Sequence, residues 1–410
     1  MVETTIKVNR YETYKESGVA WLGEIPEHWE VKPGFTILKE SKEKNKGFIE
    51  KTVLSLSYGK VVIKPEEKLT GLVPESFETY QLVSPGDIIL RPTDLQNDKT
   101  SLRTGLAKDN GIITSAYINL RAKKNYSNSF YHYYLHTIDL NKVIYGLGSG
   151  LRQNISFLDF KRFPFPKPPF QEQTNIAQFL DNKTRKIDEA ITIKQQQIKL
   201  LKERKQILIH KAVTQGLDPI VKMKDSGVEW IGEIPEHWEV KRLKYCLNIN
   251  NGRDYKHIQT DEGYPVIGSG GQFAYASEYM YDGEVVFLGR KGTIDKPLYF
   301  NGKFWAVDTM FYANAKNNNI VKFLFYVATT IPFGYYSTAT ALPSMTQSDL
   351  NNHPISRPPI EEQKEIVEYI ESATQKIETA ISLKQQEIEK LKEYKSSLIN
   401  SVVTGKVNVC

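Results

Sequence analysis

Two histidines in identical surroundings are the first candidates for chemistry. His28 and His237 each stand in the sequence Pro-Glu-His-Trp-Glu, and each is followed by Val-Lys. A positioned histidine can act as a general base, and the Glu-Val-Lys ending resembles the end of some metal-dependent nuclease sites. Neither copy has a repeated nucleophile or an upstream acidic metal ligand beside it. We therefore interpret the motif as structural: the proline starts a turn, and the tryptophan packs the body against its helix.

Other catalytic signatures are missing from the sequence. There is no Gly-x4-Gly-Lys-Ser/Thr loop for nucleotide phosphates, and Cys246 and Cys410 are the only cysteines, which argues against a disulfide framework or a cysteine zinc site. No cluster has metal-ligand spacing. We predict a chain that is not an enzyme and holds no cofactor or metal. The catalytic alternative, a nuclease using Lys32, predicts metal-dependent cleavage by the chain alone.

Polar side chains that can bind DNA occur in two clusters in each half of the chain. Arginine, lysine, asparagine and glutamine can form paired hydrogen bonds to base edges, and serine and threonine bind phosphates. The first half carries Arg91, Thr93, Asp94, Gln96, Lys99 and Arg103, and then Ser149, Arg152, Gln153 and Asn154. The second half carries Arg290, Lys291 and Thr293, and then Thr340, Ser344, Thr346 and Gln347. The alternative is that these are ordinary solvated loops.

Composition permits DNA binding without requiring it. The 410 residues carry a net charge of +6, with 40% hydrophobic and 25% charged residues, as is typical of soluble proteins with two or three domains. The N-terminal sequence is polar, unlike a secretory signal, and no apolar run is long enough to span a membrane. We expect a cytoplasmic protein with no membrane association.

The chain is a tandem repeat. Tyr14–Lys32 and Met223–Lys241 match at 15 of 19 positions, and Pro168–Thr214 and Pro358–Thr404 match at 22 of 47. Each half thus has a leading motif, a variable body and a terminal helix. Short apolar runs separated by turn residues predict mainly β bodies. Each body also has one aromatic helix candidate, Phe130–Ile138 or Val321–Thr330.

The terminal helices carry the positions that must hold the halves in place. Apolar residues and lysines alternate at steps of four and three, which is typical of a coiled-coil seam. The seam comprises Ile187, Ile191, Lys194, Ile198, Leu201 and Leu208, and in the second copy Ile377, Ile381, Lys384, Ile388, Leu391 and Leu398, with lysines 205 and 395 between them. We expect the two helices to pack on each other antiparallel. The alternative is two independent surface helices.

These patterns predict an α+β fold with approximate twofold symmetry. Two mainly β domains, 1–166 and 217–356, are expected to be joined by hinge-and-helix segments 167–216 and 357–410 that form an antiparallel coiled coil. A helical stretch of roughly 30 residues would be about 45 Å long, on the order of one turn of duplex DNA plus a few base pairs.

Over essentially its full length the chain resembles the specificity subunits of type I restriction-modification systems. The resemblance rests on the paired motif Ser17–Trp29 and Ser226–Trp238, and on the Pro-Pro-x-x-Glu-Gln hinges Pro168–Gln173 and Pro358–Gln363. The long helices that follow each hinge complete the set. The second helix departs slightly, with Glu378 where the first has Asp188.

The resemblance implies a function for each part. Each body would be a target-recognition domain that reads one half of a split site in double-stranded DNA, and the helices would set the gap. Two methyltransferase subunits would dock on the helices, and restriction subunits would join them. S-adenosylmethionine, ATP and Mg would belong to those partners. An alternative is a non-enzymatic coiled-coil scaffold that binds other proteins.

Overall fold

The computed structural model describes residues 9–65, 67, 77–95, 102–147, 154–316, 318–336 and 343–410. The chain divides into two compact units. Unit 1 comprises Met1–Ile193 and Gln386–Cys410, and unit 2 comprises Lys194–Gln385. Each unit is therefore built from one body together with parts of both terminal helices.

Unit 1 has a mainly β body. Its strands are β1 (Tyr14–Glu16), β2 (Glu24–Pro26), β3 (Glu30–Pro33), β4 (Leu38–Ser41), β5 (Leu54–Ser57), β6 (Lys60–Ile63), β7 (Gln81–Val83), β8 (Ile88–Leu90), β9 (Thr104–Leu106), β10 (Gly111–Ile113), β11 (Ile118–Ala122) and β12 (Pro164–Lys167). A four-stranded antiparallel sheet has the order β4-β11-β8-β9, and β1–β2, β3–β12, β5–β6 and β7–β10 form pairs. Helices α1 (Gly34–Ile37), α2 (Asn128–Leu140) and α3 (Phe157–Phe160) complete the body.

Unit 2 repeats the frame around a larger sheet. Its strands are β13 (Met223–Asp225), β14 (Glu233–Pro235), β15 (Glu239–Arg242), β16 (Leu247–Asn251), β17 (Gln259–Thr260), β18 (Tyr264–Gly268), β19 (Gly271–Ala276), β20 (Tyr281–Gly289), β21 (Leu298–Ala306), β22 (Met310–Ala315) and β23 (Pro354–Arg357). Seven of them form one sheet in the order β16-β22-β20-β21-β18-β19-β17. Its short helices are α5 (Val321–Ala328), α6 (Phe333–Tyr336) and α7 (Gln347–Asn352).

The terminal helices are α4 (Phe170–Gln215), with 46 residues, and α8 (Ile360–Val403), with 44. Each runs without a break from its proline hinge. At about 1.5 Å per residue, α4 is about 69 Å long rather than the expected 45 Å. The proline-rich exits are themselves strands: β12 pairs with β3, and β23 pairs with β15.

The leading tryptophans sit where the helices enter the cores. Trp29 is fully buried in the unit 1 core with Ile176 of α4 and Val402 of α8. Trp238 is fully buried in the unit 2 core with Val213 of α4 and Ile370 of α8. The predicted packing role of the leading motif is therefore visible in each unit.

Within each unit the two helices run antiparallel. In unit 1, Lys395 of α8 donates to Asp188 of α4 at 2.7 Å, and the later residue Ile399 shares a core with the earlier residue Ile176. The helices pair in the same antiparallel sense in unit 2, where Lys205 of α4 donates to Glu378 of α8 at 2.5 Å. The two ion pairs are copies of each other, since 188 and 378, like 205 and 395, differ by the repeat offset of 190. These pairs give the predicted seam lysines a register function in each unit.

Candidate nucleic-acid interface

A buried arginine organises the first polar loop of unit 1. Arg103 has no exposed surface. Its guanidinium donates to the main-chain carbonyls of Thr93 at 2.6 Å and Asp94 at 3.0 Å, and to the Tyr145 hydroxyl at 3.0 Å. Its own amide donates to Asp139 Oδ2 at 2.7 Å. Arg103 was expected to contact DNA, but its side chain is fully buried and its guanidinium holds the loop in shape.

The two polar clusters of unit 1 meet in one place. Asp94, with a left-handed φ of 64°, donates its amide to Asn154 Oδ1 at 2.9 Å. The Ile155 amide donates to the Pro92 carbonyl at 3.0 Å. Asn154 is exposed, and the first cluster's Arg91, Thr93 and Asp94 are half-buried at the same edge. The structure thus joins two segments about 60 residues apart in sequence. The other predicted residues of these clusters, Gln96, Lys99, Ser149, Arg152 and Gln153, lie outside the described residues.

Unit 2 joins its clusters in the same way. Lys291 and Ser344 form an antiparallel bridge, the Gly292 amide donates to the Pro343 carbonyl at 2.9 Å, and the Met345 amide donates to the Arg290 carbonyl at 3.0 Å. Lys291 is exposed, while Arg290, Thr293 and Ser344 are half-buried. Thr340 lies outside the described residues. Each unit therefore presents one composite polar surface instead of two separate loops.

Two predicted contacts of unit 2 have structural roles. Thr346 caps α7: its hydroxyl donates to Asp349 Oδ2 at 2.6 Å and accepts the Asp349 amide at 3.1 Å. Gln347 donates from Nε2 to the Ile249 carbonyl at 2.6 Å, which ties α7 to β16. Ser156 and Asp159 form the equivalent capping box at α3, again at the offset of 190. These side chains hold the second cluster in place.

Arg253, which the sequence patterns did not single out, is exposed beside the unit 2 surface. Its amide donates to the Ala306 carbonyl at 2.8 Å, and its carbonyl accepts Trp305 Nε1 at 3.1 Å. The same 306–310 turn supplies the Thr309 carbonyl that accepts the Arg290 amide at 2.9 Å. The sequence pattern could have indicated Arg253, because this residue follows a strand and a glycine just as Arg290 does.

The paired histidines are tied to the hinge glutamates. His28 Nε2 lies 2.8 Å from Glu172 Oε2, and Trp29 Nε1 donates to Glu172 Oε1 at 3.0 Å. In unit 2, His237 and Trp238 contact Glu362 at 2.7 and 2.9 Å. One carboxylate thus satisfies both side chains of the leading motif in each unit. This geometry supports the structural interpretation of the histidines and explains the hinge glutamate.

The hinge glutamine completes the frame. Gln173 accepts the amide of Ser127, the N-cap of α2, at 2.9 Å and donates to the Pro168 carbonyl at 2.8 Å. Gln363 accepts the amide of Ile320, the N-cap of α5, at 2.9 Å and donates to the Pro358 carbonyl. Both glutamines are almost fully buried. The Glu-Gln pair therefore fixes the leading motif and the aromatic helix of each body to the start of a long helix.

The seam residues are the less exposed positions of both helices. Ile187 and Ile388 are buried, and the partly buried members are Ile191, Lys194, Ile198, Leu201, Leu208, Ile377, Ile381, Lys384, Leu391 and Leu398. Among the described residues, no group of three or more His, Cys, Asp or Glu side chains is placed to hold a metal ion. No helix in the described part of the chain is long and apolar enough to cross a membrane.

Comparison with known proteins agrees with this arrangement. A sequence model of the type I restriction modification DNA specificity domain matches residues 22–203 and again residues 235–393. The putative type I restriction enzyme MjaX specificity subunit of Methanocaldococcus jannaschii is 25% identical over 95% of this chain and 96% of its own length. The MjaVIII specificity subunit of the same organism is 26% identical over 73% of this chain and 75% of its own length.

Two solved structures share the fold. A chain from a study of complex assembly and conformational transition of the type I restriction-modification system has a TM-score of 0.71 at 14% identity, covering 92% of this chain and 98% of that one. The HsdS subunit from Thermoanaerobacter tengcongensis has a TM-score of 0.52 at 14% identity, covering 93% and 98%.

A repeated frame with one composite polar surface per unit, matched twice by the same DNA-specificity domain, defines a tandem DNA-specificity protein. The chain belongs to the family of type I restriction-modification specificity subunits, and each matched segment contains one of its two target-recognition domains. This assignment favours DNA specificity over the alternative of a general protein-interaction scaffold.

Proposed function

We propose that each target-recognition domain reads one half of a split DNA site and that the chain itself catalyses no reaction. The observation that carries this proposal is the joining of two polar segments into one surface in each unit, through main-chain bonds between Ile155 and Pro92 and between Met345 and Arg290. Side chains on such rigidly held loops can read base edges in the major groove. The histidines that invited a catalytic role are instead engaged by Glu172 and Glu362.

The long helices act in this proposal as the spacer and as the dock for two methyltransferase subunits. The ion pairs Lys395–Asp188 and Lys205–Glu378 repeat the same helix contact in each unit, which suits two identical partners. Restriction subunits join the assembly. S-adenosylmethionine, ATP and Mg bind to those partner subunits. The complex works in the cytoplasm on double-stranded DNA.

The test is co-expression with a methyltransferase subunit of the same type I system, followed by genome-wide detection of methyladenine. We expect methylation at a split motif with a fixed gap. Methylation at a continuous motif, or modification by the specificity chain alone, would contradict the proposal. A companion variant with Lys291→Ala should relax the sequence requirement in one half of the motif only, because Lys291 belongs to the surface of a single unit.

The spacer role has its own test. Inserting one heptad after Lys194 and another after Lys384 keeps the seam pattern in both helices while lengthening each by about 10 Å. We expect the unread gap to grow by about three base pairs, at about 3.4 Å per pair. A three-residue insertion at the same two places shifts the seam and is the control that should abolish assembly. An unchanged gap in the heptad variant would refute the spacer role.

A further inference from the structure

An exposed tyrosine lies at the tip of a hairpin beside the unit 1 recognition surface. Tyr58 and Gly59 form the turn between β5 and β6, whose last paired residues are Ser57 and Lys60. The Tyr58 side chain is 88% exposed, the highest value among the exposed aromatic residues of the described chain. The unit 1 body therefore extends an aromatic ring into solvent from a short two-stranded arm.

Folding does not account for a tyrosine at this position. Tyr58 and Gly59 have φ values of 47° and 75°, so both adopt the left-handed conformation that a two-residue hairpin turn requires. Asparagine or aspartate before glycine is the favoured choice there, and a bulky side chain at positive φ is disfavoured. The ring gains little from burial. A residue that suits neither the turn nor the core indicates a role outside folding.

The hairpin lies close to the segment that leads into the recognition loop. A Cβ on Gly59 would lie 3.0 Å from the Leu102 side chain, and one on Gly105 of β9 would lie 2.6 Å from Leu56 of β5. Leu102 immediately precedes Arg103, whose guanidinium holds the carbonyls of Thr93 and Asp94. The hairpin tip therefore lies next to the segment that leads into Arg103, and the exposed Lys60 follows the turn.

We propose that Tyr58 stacks on a base step of the half-site read by the first target-recognition domain. Aromatic side chains inserted between base steps unstack and kink DNA, and an arm that delivers such a ring must be rigid. Lys60 is placed to meet a phosphate while the ring meets the bases. This inference rests on the proposed DNA-reading function and adds an indirect element to it, because stacking depends on how easily a step deforms.

The test uses the complex of the full chain with its methyltransferase subunits and a duplex carrying the split motif, with 2-aminopurine placed in turn at steps of the first half-site. Tyr58→Asn is the informative variant, because Asn-Gly is the preferred sequence for this turn and the hairpin stays folded. We expect weaker binding by about 5- to 150-fold, the value of one stacked base. We also expect the variant to lose the 2-aminopurine fluorescence that the wild-type complex gives.

Three further variants make the outcome of this experiment decisive. Tyr58→Phe and Tyr58→Trp should restore binding and fluorescence, since stacking needs only the ring. Tyr245→Asn, at another exposed tyrosine in unit 2, should change neither. Wild-type binding by Tyr58→Asn, or a defect confined to assembly with the methyltransferase, would overturn the stacking role. If wild-type complex fails to recognise any split site, the proposed function fails instead.

Discussion

Replacing Arg103 with methionine should disorder the loop that forms the first recognition surface, without changing any exposed side chain. The substitution keeps the length and apolar stem of the side chain but removes the bond to the Tyr145 hydroxyl and the two bonds to the Thr93 and Asp94 carbonyls, 2.6 and 3.0 Å long. The two bonds that hold the loop are made by a charged group and contribute about 1.5–3 kcal/mol each, so their sum is about 3–6 kcal/mol. The two loop residues are half-buried, so water can replace part of the loss. We therefore expect a cost of about 3 kcal/mol, at the lower end of that range.

The assay combines urea denaturation with hydrogen exchange at the Asp94 amide, which is bonded to Asn154. About 3 kcal/mol corresponds to roughly 150-fold faster exchange through opening of the loop. In a methylome, the first half of the motif should become degenerate and the second half should stay intact. Lys291→Met is the matched control: it removes an exposed cation from unit 2, so stability should change by less than about 0.5 kcal/mol.

The reasoning fails if Arg103→Met leaves both stability and Asp94 exchange at wild-type values. It also fails if the variant keeps its loop order but still loses the first half-site, because Arg103 would then act on DNA directly despite its burial.

Three other outcomes follow from local geometry. Reversing the charge of Lys395 to Glu should destabilise unit 1 by about 0.5–1 kcal/mol in denaturant titration, and adding Asp188→Lys should restore it; no rescue would rule out the observed register. Gly405→Ala should cost about 1–3 kcal/mol more than Gly227→Ala, because both glycines have φ above 70° but only a Cβ at Gly405 meets Pro26, at 2.4 Å. Burial lowers the pKa of His353 to about 4, so the folded chain keeps this ring neutral while the unfolded chain protonates it below pH 6.5. The contribution of His353 to the unfolding free energy should therefore fall by about 2 kcal/mol between pH 7 and pH 5. His353→Gln should remove that part of the pH dependence and leave the part due to His132 and His136, whose pKa values burial also lowers.

The helices show which structural features a sequence can specify. The seam from Ile187 onwards was predictable because its spacing is local and apolar. The start of α4 was not, although the same steps of four and three continue backwards through Leu180 and Thr184, which are both buried. Threonine interrupts the apolar pattern, and its partner, the Tyr133 hydroxyl at 3.3 Å, is distant in sequence. Thr184 is therefore recognised as part of the seam only once its partner is known.

The recognition surfaces show the complementary limit. Arg103 and Arg91 look alike in sequence, since both are arginines in one polar loop after a strand. Only the fold buries Arg103 among main-chain carbonyls and leaves Arg91 half-exposed. The joining of the two clusters was equally hidden, because the bond between Asp94 and Asn154 depends on how the intervening 60 residues fold. The residue types therefore indicated the region in which the site lies. The packing of the fold determines which of those residues can reach a ligand.

The way these surfaces are anchored explains how one frame can carry two different readers. In each unit the first polar loop is fixed by main-chain bonds to a segment that the 190-residue repeat places at equivalent positions, Ile155 in one and Met345 in the other. Main-chain bonds do not depend on which side chains the loops carry. The frame is instead held by side chains that recur in both halves, such as Glu172 and Glu362. Loop side chains are therefore free to differ between the units without loosening the helices, as two target-recognition domains with different polar loops require.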